Sequence, residues 1–178
     1  MLNVDFYEGF LNVEDSETCF NYFSSMFGSS KRRQSIHYGI PGLNYKVEFR
    51  GDSFSKTVLD WTDNVYLQVI KQKLQELTKE TYTVCVIQFY ENGKIGIAKH
   101  KDREMIKGTT IAGLSLGSAR EFRLHPPAFL KREVAVSTSL TSGSLYVLRP
   151  PTNDYWMHEI VKDSTTHPRI SLTFRNYK

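Results

Sequence analysis

Apolar and polar residues alternate along much of the chain, most regularly after residue 80. There, short segments in which every second residue is apolar are separated by Gly, Pro, Ser or Asn. A period of two is typical of a β-strand that buries one face. The pattern predicts strands over residues 35–39, 43–50, 82–90, 94–100, 110–117, 120–125, 133–140, 144–149 and 169–175.

Helical spacing occurs twice in the first half of the chain. Phe20, Phe23 and Phe27 would share one face of a helix that Ser16 can cap and Gly28 can end. A longer helix is predicted over residues 55–77, where apolar residues recur at helical spacing. Its stripe comprises Val58, Trp61, Val65, Val69 and Leu77, widened by Leu59, Tyr66, Ile70 and Leu74.

Many short strands behind two helices predict an α+β fold, either a β-sandwich or a jelly roll, with N-terminal helices packed on one face. Residues 1–14 are predicted to form an edge segment anchored by Phe6, Tyr7 and Phe10. The length of 178 residues suits a single domain, and we find no repeat or linker that would divide it.

The composition is that of a folded protein, with 40% hydrophobic and 13% aromatic residues. Cys19 and Cys85 lie among apolar residues, so we expect buried free thiols rather than a disulfide. We see neither an apolar run of membrane-spanning length nor a signal-peptide pattern, and expect an intracellular protein, nuclear or cytoplasmic, with no membrane partner. The net charge of +4 permits an anionic partner such as nucleic acid.

The segment IAKHKDREM places His100, Asp102 and Glu104 on alternate positions. If the strand runs through or just past His100, then His100 and Asp102 point to the same side and can bind one metal ion. A third ligand must come from another strand, and His158 in DYWMHEI is the candidate. Two histidines and one carboxylate suit non-haem Fe(II), although zinc accepts the same ligands. The alternative is a solvated polar turn.

The C-terminal segment RISLTFR alternates throughout, with Arg169, Ser171, Thr173 and Arg175 on one side. One interpretation is a half-exposed strand whose polar face lies in water. The other is a receptor for a dicarboxylate, because a guanidinium group binds a carboxylate through paired hydrogen bonds. The two arginines lie too far apart to hold one carboxylate, so one would clamp the far end of a short diacid and the other would lie nearer the metal.

Together, the His-x-Asp pair, the distal histidine and the two spaced arginines resemble the AlkB-type Fe(II)/2-oxoglutarate dioxygenases, most of all the eukaryotic enzymes that repair alkylated duplex DNA. The resemblance covers residues of about 33–178 and includes the segments RRQSIHYG, GLNY, QFYENGKIGIAKHKDRE, IAGLSLGSAREFRL, GSLYVLRPPTNDYWMHEI and PRISLTFR. It implies a double-stranded β-helix (jelly roll), Fe(II) and 2-oxoglutarate as cofactors, and O2 as a partner. His100, Asp102 and His158 would be the metal ligands and catalytic residues.

The resemblance also implies residues that bind 2-oxoglutarate. Arg169 matches the arginine that pairs with its distal carboxylate, and Arg175 matches the arginine near its metal-chelating end. Tyr90 matches a tyrosine whose hydroxyl reaches the cosubstrate. Gln88 and Ser171 stand where the family usually has asparagine, so we expect both to bind the cosubstrate with altered geometry.

Substrate-binding residues are implied in the same way. Glu104 matches an acidic residue that faces the damaged base, where its charge would attract a cationic methylated ring; a surface glutamate is the alternative. Tyr45 matches a tyrosine near the substrate. The next position, often aromatic in the family, matches either Phe49 or Val47, so the residue that stacks on the base is open between these two.

Two further features would bear on a nucleic-acid substrate. Phe27 could be an apolar wedge that enters the duplex or a core residue of the first helix. Arg33 matches an arginine near the family's pocket, and with Lys31 and Arg32 it would suit phosphates, unless the three form a solvated loop.

These implications predict a single dioxygenase domain over residues 1–178, with a helix and basic loop in 1–34 and recognition strands and the jelly-roll core in 35–178. We expect a monomer that oxidatively demethylates N-alkylated bases, of the 1-methyladenine and 3-methylcytosine type, in DNA. Two alternatives stay open: the same chemistry on RNA or a protein side chain, and an inactive jelly-roll module that binds nucleic acid.

Overall fold

The computed structural model describes residues 2–49, 52–131 and 134–177, and over 45–49 and 52–56 it describes the backbone alone. The strands are β1 (Val4–Tyr7), β2 (Gln34–Gly39), β3 (Asn44–Phe49), β4 (Asp52–Thr57), β5 (Leu59–Asp60), β6 (Val84–Tyr90), β7 (Ile97–His100), β8 (Ile111–Gly117), β9 (Arg120–His125), β10 (Val136–Leu140), β11 (Leu145–Leu148), β12 (Met157–Ile160) and β13 (Arg169–Arg175). The helices are α1 (Val13–Ser24), α2 (Val65–Thr78) and the short α3 (Thr152–Tyr155).

A seven-stranded sheet forms the larger layer, in the order β1-β11-β8-β13-β6-β2-β5. Its neighbouring strands are antiparallel except β2 and β5, which run parallel. The C-terminal strand β13 lies at the centre and pairs with both β6 and β8. Both faces of β13 are buried as a result, so the interpretation that its polar face lies in water is wrong.

A four-stranded sheet, β10-β9-β12-β7, forms the second layer, and β3 and β4 form a separate hairpin. Side chains of both layers share one core, among them Val86 and Tyr146 of the larger sheet and Phe122 and Ile160 of the smaller one. A second core joins the opposite face of the larger sheet to α1 and α2. The predicted jelly roll with N-terminal helices on one face is confirmed.

The first helix begins and ends earlier than predicted. The Asn12 side chain caps α1 and accepts a hydrogen bond from the Asp15 N–H at 2.7 Å. The predicted cap, Ser16, is buried inside the helix, and the last helical residue is Ser24 rather than one next to Gly28. The aromatic spacing predicted the helix. It did not show which nearby polar residue, Asn12 or Ser16, caps its N-terminus.

The second helix is shorter than predicted, because residues 55–64 of the predicted range form the end of β4, β5 and a turn. α2 starts behind Asn64, whose side chain accepts a hydrogen bond from the Leu67 N–H at 3.0 Å. Val58 and Trp61 are buried from positions outside the helix. Val58 and Trp61 continue the helical spacing of apolar residues, although neither lies in a helix. A buried apolar residue can belong to any kind of element, so its spacing alone did not reveal this.

The buried face of α2 also differs from the predicted stripe. Leu67, Ile70 and Leu74 enter the core, whereas Val65 and Val69 are 70% and 62% exposed. Two overlapping apolar stripes run along this helix, and only the position of the sheet beneath it decides which one is buried.

The nine predicted strands correspond to β2, β3, β6 to β11 and β13, with ends shifted by a few residues, and β1 lies within the predicted N-terminal edge segment. The elements β4, β5 and α3 were not predicted, and β12 was expected only as the strand, without bounds, that would carry His158. Cys19 and Cys85 are buried and free, as expected. Among the described residues, each helix is too short or too polar to cross a membrane.

Candidate metal centre

His100 and His158 are direct partners on the neighbouring antiparallel strands β7 and β12. Opposed residues of an antiparallel pair project from the same face, and the two imidazole rings lie with their centroids 4.3 Å apart. His158 is buried and His100 is half-buried. The register of the smaller sheet therefore brings together two histidines that lie far apart in sequence.

Asp102 lies just beyond the end of β7 and completes the cluster. Its Oδ1 is 3.4 Å from His100 Nε2, and its Oδ2 is 3.7 Å from His158 Nε2. One ligand atom of each residue lies within 4.8 Å of the others. The structure thus groups the three residues that the sequence nominated as metal ligands, although Asp102 itself is outside the strand.

The cluster fits a metal ion in two respects. His100 Nδ1 lies 2.8 Å from the Ala98 carbonyl oxygen, which places the proton on Nδ1 and leaves the Nε2 lone pair facing the carboxylate. Asp102 Oδ2 is buried and has no hydrogen-bond partner in the described part of the chain. Two imidazole nitrogens and one carboxylate are the ligand set of open non-haem Fe(II) sites, so these residues fit that ion.

The electrostatics of the cluster also suit a cation. Burial acts to raise the pKa of Asp102, but Arg175 and the two histidines outweigh burial and hold this pKa well below its usual value. Burial lowers the pKa of His158 to about 4, an effect that Asp102 opposes only in part. At neutral pH the carboxylate is therefore ionised and His158 is neutral, as metal ligands must be.

The inner face of β13 carries Arg169, Ser171, Thr173 and Arg175 into the same cavity as the two histidines. The Arg169 side chain is 1% exposed, and its Nη2 donates to Ser115 Oγ at 2.9 Å. Its Nε and Nη1 have no hydrogen-bond partner among the described residues. A buried guanidinium with unused donors calls for an anion, and a carboxylate fits the fork of donors.

Tyr90 and Gln88 on β6 stand opposite Arg169 and Ser171 on β13. The Tyr90 hydroxyl donates to Gln88 Oε1 at 3.2 Å, and the Tyr90 ring centre lies 5.0 Å from the Arg169 guanidinium carbon. All four residues and Arg175 line the cavity. The residues nominated for 2-oxoglutarate therefore surround one space, with Arg169 at the end remote from Asp102 and Arg175 beside Asp102, and this donor set fits a short dicarboxylate.

Sequence reasoning missed the apolar wall of the cavity, which is formed by Ile97, Phe122, Tyr146 and Ile160. Tyr146 on β11 stands opposite Gly113 on β8, and a Cβ at Gly113 would lie 2.3 Å from the Tyr146 ring. Gly113 therefore gives this ring the space to lie against the sheet. Gly113 and Tyr146 each lie on the inward side of an alternating segment, and this alternation could have indicated that they face the core. Only the strand order shows that they are neighbours.

Glu104 is half-buried close to the metal cluster but does not line its cavity. Burial acts to lower the pKa of Arg175, but nearby anionic groups, Asp102 foremost and Glu104 among them, raise it overall. Among the described residues Glu104 forms no ion pair with Arg103 or Lys107, which was the alternative to a role in substrate binding. Its role toward a base stays a prediction.

The other substrate-binding predictions have different outcomes. Tyr45, Val47 and Phe49 all belong to β3, and their side chains lie outside the described residues. Phe27 packs face to face on Phe89 of β6, with ring centroids 5.2 Å apart, as a core residue would. The described conformation therefore does not present Phe27 as a wedge.

Arg33 does not reach the metal cavity. It is exposed and lines a separate surface, here named the basic groove, with Lys31, Arg32, Lys94 and Lys162. None of these five cations forms a salt bridge with another described residue. Glu91 fastens the loop before them, accepting hydrogen bonds from the Ser29 hydroxyl at 2.6 Å and the Ser30 N–H at 3.1 Å.

The buried side chain of Arg120 holds the other two walls of the basic groove. Its Nη2 donates to the carbonyl oxygens of Ile95 and Val161 at 2.8 and 2.7 Å. These two residues directly adjoin Lys94 and Lys162 in sequence. The groove is therefore a fixed arrangement of three chain segments rather than a single solvated loop.

Comparison with known proteins gives one matching family and several similar relatives. The family model of the 2OG-Fe(II) oxygenase superfamily matches residues 40–175. The mouse protein "DNA oxidative demethylase ALKBH2" is 32% identical over 151 residues, which cover 80% of this chain and 61% of the relative. Its human counterpart is 32% identical over 153 residues, or 80% and 56% of the two chains.

A second group of relatives is more distant in sequence. The human "Alpha-ketoglutarate-dependent dioxygenase alkB homolog 3" is 25% identical over 186 residues, covering 95% of this chain and 64% of the relative. The chain thus spans between about half and two thirds of the length of these curated relatives. Among solved structures, OsALKBH1 superposes with a TM-score of 0.68 over 99% of both chains at 16% identity, a likeness of fold.

Proposed function

Because the chain belongs to the 2OG-Fe(II) oxygenase superfamily, we propose that it is an Fe(II)- and 2-oxoglutarate-dependent dioxygenase that removes alkyl groups from the bases of DNA. One observation carries the proposal: His100 and His158 share a cavity with the unused donors of Arg169, and Asp102 lies beside them. The names of the relatives, DNA oxidative demethylases, support the choice of substrate.

In this proposal His100, Asp102 and His158 hold the metal. Two histidines and one carboxylate would supply three protein ligands to the metal and would leave room for 2-oxoglutarate and O2 beside them. Fe(II) held by these residues would supply the oxidation chemistry: O2 and 2-oxoglutarate would be converted to succinate and CO2 as an N-methyl group is hydroxylated, and the hydroxymethyl base would then release formaldehyde and the restored base.

Arg169 holds the remote carboxylate of 2-oxoglutarate. Its bond to Ser115 fixes one nitrogen of the guanidinium and leaves Nε and Nη1, which have no partner among the described residues, to bind the carboxylate. The Tyr90 ring against the same guanidinium limits its movement. Arg175, held between Asp102 and the Thr173 hydroxyl, places a second positive charge at the metal end.

The apolar wall of Ile97, Phe122, Tyr146 and Ile160 keeps water from the reacting atoms. Phe122 and Tyr146 stack on each other with ring centroids 4.6 Å apart, so each ring supports the position of the other. Exclusion of water matters because electrostatic contacts between the arginines and a carboxylate are stronger in a dry cavity.

The basic groove supports a nucleic-acid substrate. Five cations without acidic partners among the described residues form a surface that attracts a polyanion, and phosphate contacts of this kind orient a strand without reading its sequence. A base must leave its stack to reach a cavity whose metal ligands are buried or half-buried, and Glu104 would then attract a cationic methylated ring. Since every nominated metal and cosubstrate residue comes from one chain, a monomer is sufficient, and an intracellular location agrees with a DNA substrate.

The decisive experiment combines the purified protein with Fe(II), 2-oxoglutarate, O2 and an oligonucleotide that contains 1-methyladenine. We expect equal amounts of succinate, formaldehyde and repaired base, and no repair by His158→Ala or Asp102→Ala. Arg123→Ala, which changes a partly exposed arginine of β9 outside the metal cavity, serves as the control variant and should keep full activity. Absence of succinate in every condition would instead favour the inactive nucleic-acid-binding module.

Two arms separate the substrate classes. The same lesion in an RNA oligonucleotide tests whether the sugar matters to the enzyme. A protein hydroxylase would form succinate without repairing either oligonucleotide, and it would show no salt-dependent affinity for nucleic acid.

A further inference from the structure

Asp102 lies where the β-ladder of the smaller sheet has ended. β7 stops at His100, and its partner β12 starts only at Met157. Before Met157 the chain turns away into α3, so no described strand lies opposite Asp102. The carboxylate ligand of the metal cluster is therefore on a segment that the sheet does not hold.

One side chain replaces the missing strand. Asn153 in α3 is buried, and its Oδ1 accepts a hydrogen bond from the Asp102 N–H at 3.1 Å. Its Nδ2 donates to the Asp102 carbonyl oxygen at 2.9 Å. A single amide thus bonds both backbone groups of one residue, as an opposed residue does in an antiparallel ladder.

The orientation of this amide is fixed by chemistry. Reversing it would place its NH2 group against the Asp102 N–H and its oxygen against the Asp102 carbonyl, two repulsive contacts. The second hydrogen of Nδ2 points to Met105 Sδ at 3.5 Å, a weak further contact. Asn153 therefore holds Asp102 by both backbone groups and does not occupy its carboxylate, which can face the two histidines.

We propose that Asn153 is a positioning residue for the metal: its amide extends the β7–β12 ladder by one residue pair and so fixes Asp102 opposite His100 and His158. The inference rests on the metal-binding part of the proposed function and concerns no particular substrate. It explains how the Asp102 side chain, beyond the end of β7, still projects to the same side as His100, as it would if the strand continued. Hydrogen bonds that orient a metal ligand typically contribute about ten- to hundredfold to metal affinity.

The neighbouring residue in α3 provides a matched control. Thr152 is fully buried, and its hydroxyl accepts from the Asn3 N–H at 2.8 Å and donates to the Asn3 carbonyl at 3.0 Å. Thr152→Val therefore removes the same number of backbone hydrogen bonds from the same helix as Asn153→Leu. The difference is that Thr152 bonds the N-terminal segment and Asn153 bonds the metal ligand.

The test measures the dissociation constant of Mn(II), a stand-in for Fe(II) that resists oxidation, by calorimetry in the presence of 2-oxoglutarate. Unfolding of the metal-free proteins is recorded in parallel. For Asn153→Leu we expect the Mn(II) dissociation constant to rise about tenfold or more. For Thr152→Val we expect it to stay within about twofold of the wild type, even where the unfolding temperatures fall by similar amounts.

A dissociation constant within twofold of wild type in Asn153→Leu would overturn the proposal, as would an equal rise in Thr152→Val, since general loosening of α3 would then suffice. Should Asn153→Leu fail to fold, Asn153→Ala decides in its place, because water can enter the space and satisfy the two backbone groups of Asp102. Failure of the wild type to bind Mn(II) at all would refute the metal site itself, and so the proposed function.

Discussion

Arg175 and Asp102 form a buried ion pair beside the two histidines, with Nη1 of the arginine 3.4 Å from Oδ1 of the carboxylate. Both side chains are shielded from solvent, so each depends on the other for compensation of its charge. The arginine therefore stabilises, in the metal-free protein, the same carboxylate that we propose as a metal ligand.

This pairing predicts the effect of Arg175→Met, which keeps the bulk of the side chain and removes its charge. Asp102 would be left buried without a counter-charge, so the free energy of unfolding in EDTA should fall by about 3–5 kcal/mol. Mn(II) should restore part of the loss, because the metal compensates the carboxylate in place of the arginine. Urea unfolding with EDTA and with Mn(II) measures both effects, and equal stability of the two proteins in EDTA would contradict the prediction.

Arg169→Ala should sharply raise the KM for 2-oxoglutarate while leaving Mn(II) binding nearly intact. Losing a charge-assisted contact to a carboxylate that stays buried costs about 2–4 kcal/mol. Arg169→Lys should recover only part of the loss, since an ammonium group cannot form the paired contact. Steady-state kinetics with Arg123→Ala as the control check this, and an unchanged KM in Arg169→Ala would show that another residue anchors the diacid.

Glu104→Gln separates recognition of a cationic base from general hydroxylation. It keeps the size of the side chain and one acceptor oxygen but removes the charge. A net loss of about 1–2 kcal/mol is expected for the cationic lesions, roughly tenfold in kcat/KM. The comparison is 1-methyladenine against the neutral base 3-methylthymine, and equal losses on both would rule out charge recognition. Oxidation of 2-oxoglutarate without nucleic acid should change little.

The basic groove predicts a measurable salt dependence of DNA binding. Each cation that neutralises a phosphate contributes about 0.9 to the slope of log Kobs against log salt concentration, so Lys94→Gln with Lys162→Gln should lower that slope by about 2. Lys71→Gln with Lys73→Gln removes the same charge from α2, which packs on the opposite face of the larger sheet, and should leave the slope unchanged. Equal slopes for both double variants and the wild type would exclude the groove as the binding surface.

The low pKa of His158 predicts that acid destabilises the metal-free protein. The pKa is about 4 when folded and 6.5 for a histidine free in water, so between these values the unfolded chain binds more protons and stability falls as the pH falls. From pH 6.5 to pH 5 this histidine should account for a loss of roughly 1–2 kcal/mol. Urea unfolding in EDTA at both pH values, for the wild type and His158→Gln, measures it. If the variant loses as much stability as the wild type, other groups are responsible.

Local periodicity carried most of the information about the elements. Alternation in RISLTFR identified β13 and placed Arg169 and Arg175 on one face, because successive side chains of any strand project to opposite sides. The pattern could not tell whether that face meets water or a cavity. The answer depends on which strands lie beside β13 and what covers them, and these are contacts between distant parts of the chain.

In the metal cluster, too, the local sequence supplied one part of the information and contacts between distant segments supplied the rest. The spacing of His100 and Asp102 nominated a ligand pair, the need for a third ligand from another strand pointed to His158, and the resemblance to a known family agreed with all three. That His158 stands directly opposite His100 follows from the pairing of β7 with β12, which no local pattern encodes. Asn153 escaped notice altogether, because a buried asparagine has no periodicity that distinguishes it from one in a turn.

The sequence by itself thus determined which residues share a face and which chemical groups are available at each position. The tertiary structure decided which of two apolar stripes of α2 is buried, where the polar face of β13 points, and which three segments meet in the basic groove. The physical reason is that periodicity is a property of neighbouring residues, whereas burial and charge compensation are properties of packing. Strand order and register bring distant residues together, and they are set by the free energy of the whole core rather than by any one segment.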